Sequence, residues 1–173
     1  MSFSRSYNLA RLGNTGDEVR FEADADERAA IAVLAGALSL ERLTVRVGLK
    51  KEGAANFLLA YALEAEVTQA CVVSLQPVTA RIDRSFGREL LFRVGGRHAA
   101  AAPSTLEISP DEGDEVEEIE SLHFDLATPV IEEFLLALDP YPRALGVQFD
   151  PGEEGAARPE SPFAALKSLK PNK

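Results

Sequence analysis

Leu43-Thr44-Val45-Arg46-Val47-Gly48-Leu49-Lys50 is the stretch on which the fold turns. Leu43, Val45, Val47 and Leu49 alternate with polar or small residues. That is the period of a strand with one buried and one wet face, the habit of an antiparallel sheet. Downstream, Glu52-Gly53-Ala54 is the expected hairpin turn. Phe57 to Cys71 then returns along the first strand, with Tyr61, Leu63, Ala65 and Val67 set against Glu64, Glu66 and Thr68. Ala-Leu-Glu-Ala-Glu inside it favours helix by propensity. The alternation and the hairpin partner decide for strand.

Outward toward the N-terminus, Val19 to Ala23 alternates and predicts a strand, and Ser4 to Arg11 predicts a first one. Between them Gly13-Asn14-Thr15-Gly16-Asp17 is a turn cluster. Asp24 with Glu27 spells a capping box. The helix that follows is expected over about Ala25 to Leu38, with Ile31, Leu34, Ala35 and Leu38 as its apolar stripe.

Outward toward the C-terminus, Leu75-Gln76-Pro77 interrupts the sheet, because proline lacks the ladder donor. Val78 to Asp83 and Glu89 to Val94 read as two strands, with Ser85-Phe86-Gly87 as the turn or bulge between them. From Glu107 to Glu120 every charge is acidic, eight in all. Such a block is a solvated or disordered loop, so a flexible insertion is expected at about 96–116. Thr128 is the expected N-cap of a second helix, with Pro129 at its first helical position and Pro140-Tyr141-Pro142 as its stop. From about 146 to 173 an extended tail is expected, with Phe163 to Leu169 forming a terminal helical turn or more.

These elements predict one α+β domain over residues 1–173. Its sheet is an antiparallel, twisted sheet or open barrel of about six strands, with an N-terminal helix and a helix near the C-terminus. At 173 residues a single core is stable without disulfide or metal. The lone Cys71 cannot form an intramolecular disulfide, which points to a reducing compartment. No apolar run reaches membrane-spanning length, and Met1 to Arg11 lacks the apolar core of a signal peptide. The expected location is the cytoplasm. The net charge of −10 repels nucleic-acid phosphates overall and favours basic protein surfaces.

No catalytic pattern emerges. Cys71 has no nucleophile signature around it, and a small buried residue at a strand end is the plainer reading. His98 and His123 have no metal-ligand spacing. Glu64 and Glu66 fall on a wet strand face, and Glu132 and Glu133 fall opposite their helix's apolar stripe. No enzyme, no cofactor and no metal are expected.

Two features offer contacts. Arg81, Arg84, Arg88, Arg93 and Arg97 fall within seventeen residues, interleaved with Phe86 and Phe92. An arginine-rich hairpin of this kind can bind RNA, with Arg81, Arg84 and Arg88 as the candidates. Alternation nevertheless splits them between faces, and an exposed amphipathic hairpin is the plainer reading. The C-terminal array combines Tyr141 and Arg143, held by Pro140 and Pro142, with Phe163 and Lys167 in the tail. Tyr and Arg are enriched at interface hot spots, and a stiffened segment loses less entropy on binding. Two alternatives stand for the array: packing on its own domain, or a partner epitope.

Cys71-Val72-Val73-Ser74-Leu75-Gln76-Pro77-Val78, the Asp125-Leu126 to Arg143 helix and stop, and the Pro162 to Lys170 tail, in this order, resemble the YceD family of large ribosomal RNA subunit accumulation proteins, closest to its alphaproteobacterial branch. The resemblance implies a non-enzymatic role in large-subunit ribosomal RNA accumulation and ribosome biogenesis. The acidic charge then suggests a basic ribosomal or ribosome-assembly protein as partner, with direct RNA binding by the arginine-rich hairpin as the alternative. The chain departs from the family in two places. Ser74 stands where some relatives carry a second cysteine, which excludes a thiolate-pair zinc site there. Asp125-Leu126-Ala127 replaces the frequent Asp-Leu-Gly.

Overall fold

The computed structural model describes residues 3–93 and 116–148. The expected insertion, apart from Val116, and the tail beyond Gln148 lie outside them, as do His98, Arg97, Phe163 and Lys167.

The first strand is short, β1 at Ser6–Asn8, and passes into a 3-10 turn over Leu9–Arg11 rather than running on to Arg11. Asn8 causes the change by accepting from the Ala10 amide at 3.0 Å. Then follow β2 (Asp17–Glu22), α1 (Ala25–Leu34), β3 (Ser39–Glu52) and β4 (Asn56–Ala70). The chain continues with β5 (Pro77–Phe92), β6 (Val116–Ile119), β7 (His123–Asp125) and α2 (Thr128–Ala137). Five strands form an open, twisted sheet in the order β2-β3-β4-β5-β6, and β1 pairs with β7 in a second sheet. The α+β class and both helices are as expected.

The hairpin read from Leu43–Lys50 is the centre of the sheet. Val45 faces Leu63 and Val47 faces Tyr61 across β3 and β4, and all four side chains are buried. Gly53, at φ +82°, closes the turn in a conformation that L side chains rarely adopt. A bulge between Leu40 and Arg42 shifts the strand's parity. It lets Leu40 and Leu43 both enter the core despite their odd spacing. Both helices and the small sheet contribute to the inner face through Leu9, Ile31, Leu126, Val130 and Phe134. Each fully buried side chain of this size is worth roughly 1.5–3 kcal/mol.

Four further details differ from the sequence reading. First, β5 is one strand of 16 residues. Ser85, Phe86 and Gly87 stay paired with Ala62, Tyr61 and Ala60, so no arginine hairpin forms. Pairing along the whole of β4, with Phe86 stacked on Tyr61 at 4.6 Å, outweighs the turn tendency of Ser-Phe-Gly. Second, β6 runs parallel to β5, which makes the sheet mixed.

Third, α1 ends at Leu34, not Leu38. Gly36, at φ +63°, enters the left-handed region. The amide of Ala37 returns to the Ala32 carbonyl and that of Gly36 to Val33, the bond pair of a Schellman stop. Leu38 therefore falls outside the helix, and both Leu34 and Leu38 are exposed instead of forming the stripe. Fourth, Ala127 rather than Thr128 caps α2. Asp125 performs the cap's role from two residues back, accepting from the Ala127 amide at 3.0 Å and from the Thr128 hydroxyl at 3.4 Å.

Arg5 ties the two helix starts together. Its amide donates to Asp125 at 2.7 Å, and its guanidinium holds both Glu27 oxygens at 2.8 Å. The expected capping box is present, with Asp24 and Glu27 exchanging bonds of 2.8 and 2.9 Å. The Arg5 bond holds the Glu27 carboxyl below its ordinary range, against burial, which pushes it up.

Candidate functional site

The two motifs that the sequence singles out meet in space. β4 ends at Ala70, and Cys71 to Gln76 form the turn into β5, closed by the Cys71 amide on the Gln76 carbonyl at 2.8 Å. Leu75 donates back to the Cys71 carbonyl at 2.9 Å. It does so with φ at +61°, a left-handed conformation held by a non-glycine residue. Its side chain is nevertheless 77% exposed. Strain of this kind, about 1–2 kcal/mol per residue, persists only where the surroundings enforce it.

The segment after α2 lies across this turn. Gln69 Nε2 donates to the Asp139 carbonyl at 3.1 Å. The Val72 amide donates to the Pro142 carbonyl at 2.9 Å. The Ala144 amide donates to Cys71 Sγ at 3.4 Å. Asp139 also accepts from the Tyr141 amide at 2.8 Å and so fixes the bend between the two prolines. Pro142 is buried and faces the turn. Its neighbours point away from it: Tyr141 is 71% exposed, and Arg143 is exposed. Leu145, Leu75 and Val72 are exposed near them. This is a rigid clasp that presents an aromatic ring, a guanidinium and apolar side chains to solvent.

Cys71 belongs to the clasp's interior. It is fully buried, and its sulfur accepts from the amides of Ser74 and Ala144, each at 3.4 Å. The Ser74 hydroxyl, followed by the amides of Ala144, Ser74 and Val73, pulls the thiol down to about 6, against burial. A thiolate without access is not a working nucleophile. The sulfur joins two segments, and the small-residue reading of Cys71 holds in that form.

The arginines of β5 are divided. Arg81 lies on the open face, where its nearest carboxylate is Glu66 at 3.7 Å. Arg84 and Arg88 alternate onto the opposite face. Arg88 is bound to Glu132 of α2 at 2.8 Å, and Arg84 is exposed with no ion pair among the described residues. The three do not form one surface. Glu64 pairs with Arg42 at 3.8 Å, as suits a solvated face. Among the described residues no group of His, Cys, Asp and Glu is placed to hold a metal. A depression of about 880 Å³ crosses the open sheet face over Gly48, Ala60 and Gly87.

The sequence reading missed Val72, Leu75 and Leu145. Single apolar residues in turns are ordinary on protein surfaces. Only the convergence of the two segments makes them a patch. No helix among the described residues is long and apolar enough to cross a membrane.

Residues 59–170 match the family model described as Large ribosomal RNA subunit accumulation protein YceD. No curated protein and no solved structure matches the chain. The family description suggests a role in accumulation of the large ribosomal RNA subunit and names an accumulation factor, not an enzyme. The matched region takes in most of β4, the Cys71 turn, the clasp and most of the tail, covers more than half of the sequence, and shows that the chain belongs to the YceD family.

Proposed function

We propose that this protein supports accumulation of large-subunit ribosomal RNA by binding a basic ribosomal or ribosome-assembly protein, without catalysis, in the cytoplasm. The observation that carries this reading is the clasp: Tyr141 and Arg143 project from a segment pinned to the end of β4 and the Cys71 turn by three hydrogen bonds. A backbone segment held in this way loses little conformational entropy on binding. The charge of −10 favours encounter with a basic surface. Phe163 and Lys167 belong to the same epitope in this reading.

Tagged protein captured from native cytoplasm, half of it nuclease-treated, tests the reading, with bound proteins and RNA both identified. Ribosomal or assembly proteins that survive nuclease support it. Capture that vanishes with nuclease overturns it in favour of direct RNA binding. That second reading rests on Arg81 and Arg84, both exposed on β5. It predicts steep salt dependence and loss of binding on charge reversal.

A further inference from the structure

The outer edge of β5 is open along most of its length. β6 pairs with it only from Glu89 to Phe92, so from Pro77 to Arg88 no strand lies beside it among the described residues. Hydrogen-bond direction tells which residues face out. The amides of Cys71 and Phe92 bond to the carbonyls of Gln76 and Ala55, and the Arg93 amide bonds to Ile119 of β6. Polar backbone groups alternate sides along a strand, so even-numbered residues of β5 turn theirs to β4. Thr79, Arg81, Asp83, Ser85 and Gly87 turn theirs outward, where among the described residues no backbone group meets them.

Such an edge is a template for another strand, and proteins blunt it by shortness, a bulge or an internal proline. Here the pairing with β4 runs unbroken from Pro77 to Leu91, and the one proline of β5 stands at its first position. We propose that a second copy of this chain occupies the edge, β5 against β5 and antiparallel, with the two-fold axis at Ile82. The two five-stranded sheets then join into one.

The side chains choose both the occupant and the register. With Ile82 opposite Ile82, Arg81 of each copy stands directly opposite Asp83 of the other. Thr79 meets Ser85, two hydroxyls able to bond, and Val78 meets Phe86, a β-branched residue against an aromatic one. Ala80 meets Arg84, and the small side chain leaves room for the arginine stem. Pro77, which has no amide to donate, meets Gly87 at the end of the pairing, just short of β6. Odd-numbered residues meet odd-numbered ones throughout, so the outward backbone groups find each other. An axis at Arg81 or at Asp83 would instead put like charges face to face, which is destabilising.

Within one copy both charges are poorly matched. Asp83 stands in register with Glu64, a like charge, and has no ion pair among the described residues. The Arg81 side chain is 85% exposed, with its nearest carboxylate at 3.7 Å. A two-fold axis makes each new pair twice. This inference goes beyond the proposed function and does not rest on it.

Sedimentation equilibrium of the full-length protein tests it. The charge of −10 on each copy opposes association, so the salt is physiological, where the screening length is about 8 Å. The expected mass is twice that of one chain. Arg81→Asp and Asp83→Arg each put like charges at both symmetry-related pairs, and both positions are exposed. Each variant is expected to sediment as a single chain with unaltered far-ultraviolet circular dichroism. Mixing the two variants restores opposite charges at both pairs, so the doubled mass returns in the mixture although neither component shows it alone. A parent protein of single-chain mass throughout the concentration range overturns the proposal. A doubled mass that survives either reversal overturns it in favour of another interface. Loss in both variants without recovery on mixing overturns the register, and the proposal with it.

Discussion

The amide of Val72 donates to the carbonyl of Pro142 at 2.9 Å, joining the turn after β4 to the segment after α2. This bond, with those of Gln69 and Ala144, converts two short motifs far apart in sequence into one surface. Their combination presents Tyr141 on a fixed backbone.

Tyr141→Ala combined with Phe163→Ala is expected to leave the fold intact and remove partner capture. Tyr141 is mostly solvent-exposed, and exposed substitutions away from caps and cores change stability by about 0.5 kcal/mol or less. A thermal melt together with nuclease-treated capture checks both halves. Full partner binding by the folded double variant would sink the epitope reading.

Leu75→Gly separates stability from function. The left-handed backbone at φ +61° is costly for leucine and free for glycine. The expected result is a gain of up to about 1 kcal/mol in denaturant unfolding together with weaker partner capture, because an exposed apolar side chain leaves the patch. A loss of stability would show that the leucine side chain packs in a way its exposure does not suggest.

Cys71→Ala removes the acceptor of the Ser74 and Ala144 amides. Both bonds are part-buried, and the net worth of a typical hydrogen bond is about 0.5–1.5 kcal/mol. The expected outcome is a lower denaturant midpoint at unchanged slope, with the β4–β5 pairing retained. An unchanged midpoint would mean that the sulfur contributes nothing to the clasp.

Glu27→Gln tests the Arg5 tie. The carboxyl's value is depressed in the folded protein, chiefly by the Arg5 bond. Its contribution is therefore fully present above the ordinary carboxylate value and is lost as pH falls through the folded one. At neutral pH the variant is expected to lose about 1–3 kcal/mol, the worth of hydrogen bonds to a charged group. In acid the gap to the parent narrows. A gap that stays constant across the acid range would exclude the ion pair as its source.

Gly36→Ala and Gly16→Ala are expected to differ. A Cβ at Gly36 meets nothing within 4 Å, so only the backbone cost of φ +63° applies, about 1 kcal/mol. At Gly16, φ +78° is joined by a Cβ placed 2.7 Å from the Leu49 carbonyl oxygen. The loss there is the greater of the two, and parallel thermal melts of both variants read the difference.

Local patterning made the central elements legible. The alternation of Leu43 to Leu49 and of Tyr61 to Val67 predicts both strands of the hairpin and their buried faces, because a period of two admits one buried set per register. Asp24 and Glu27 mark the start of α1 through bonds made within four residues. Gly36 carried the signal for its end, and the longer apolar periodicity masked it. Of the candidate contact residues, Tyr141 and Arg143 are exposed as the Pro140–Pro142 stop implies, since stiff backbone is a local property.

What tertiary structure alone decided is where distant pieces meet. Ser85-Phe86-Gly87 reads as a turn, yet β4 supplies a partner along its whole length and keeps it extended. The parallel register of β6 on β5 leaves no mark on alternation, which reports faces and not direction. The division of Arg81 from Arg84 and Arg88 was already implied by alternation, and the unbroken strand keeps it. The seating of Pro142 on the Cys71 turn depends on where α2 comes to rest against the sheet. Side-chain period and capping chemistry are written in neighbouring residues, whereas contacts of this kind arise only from packing the whole chain around one core.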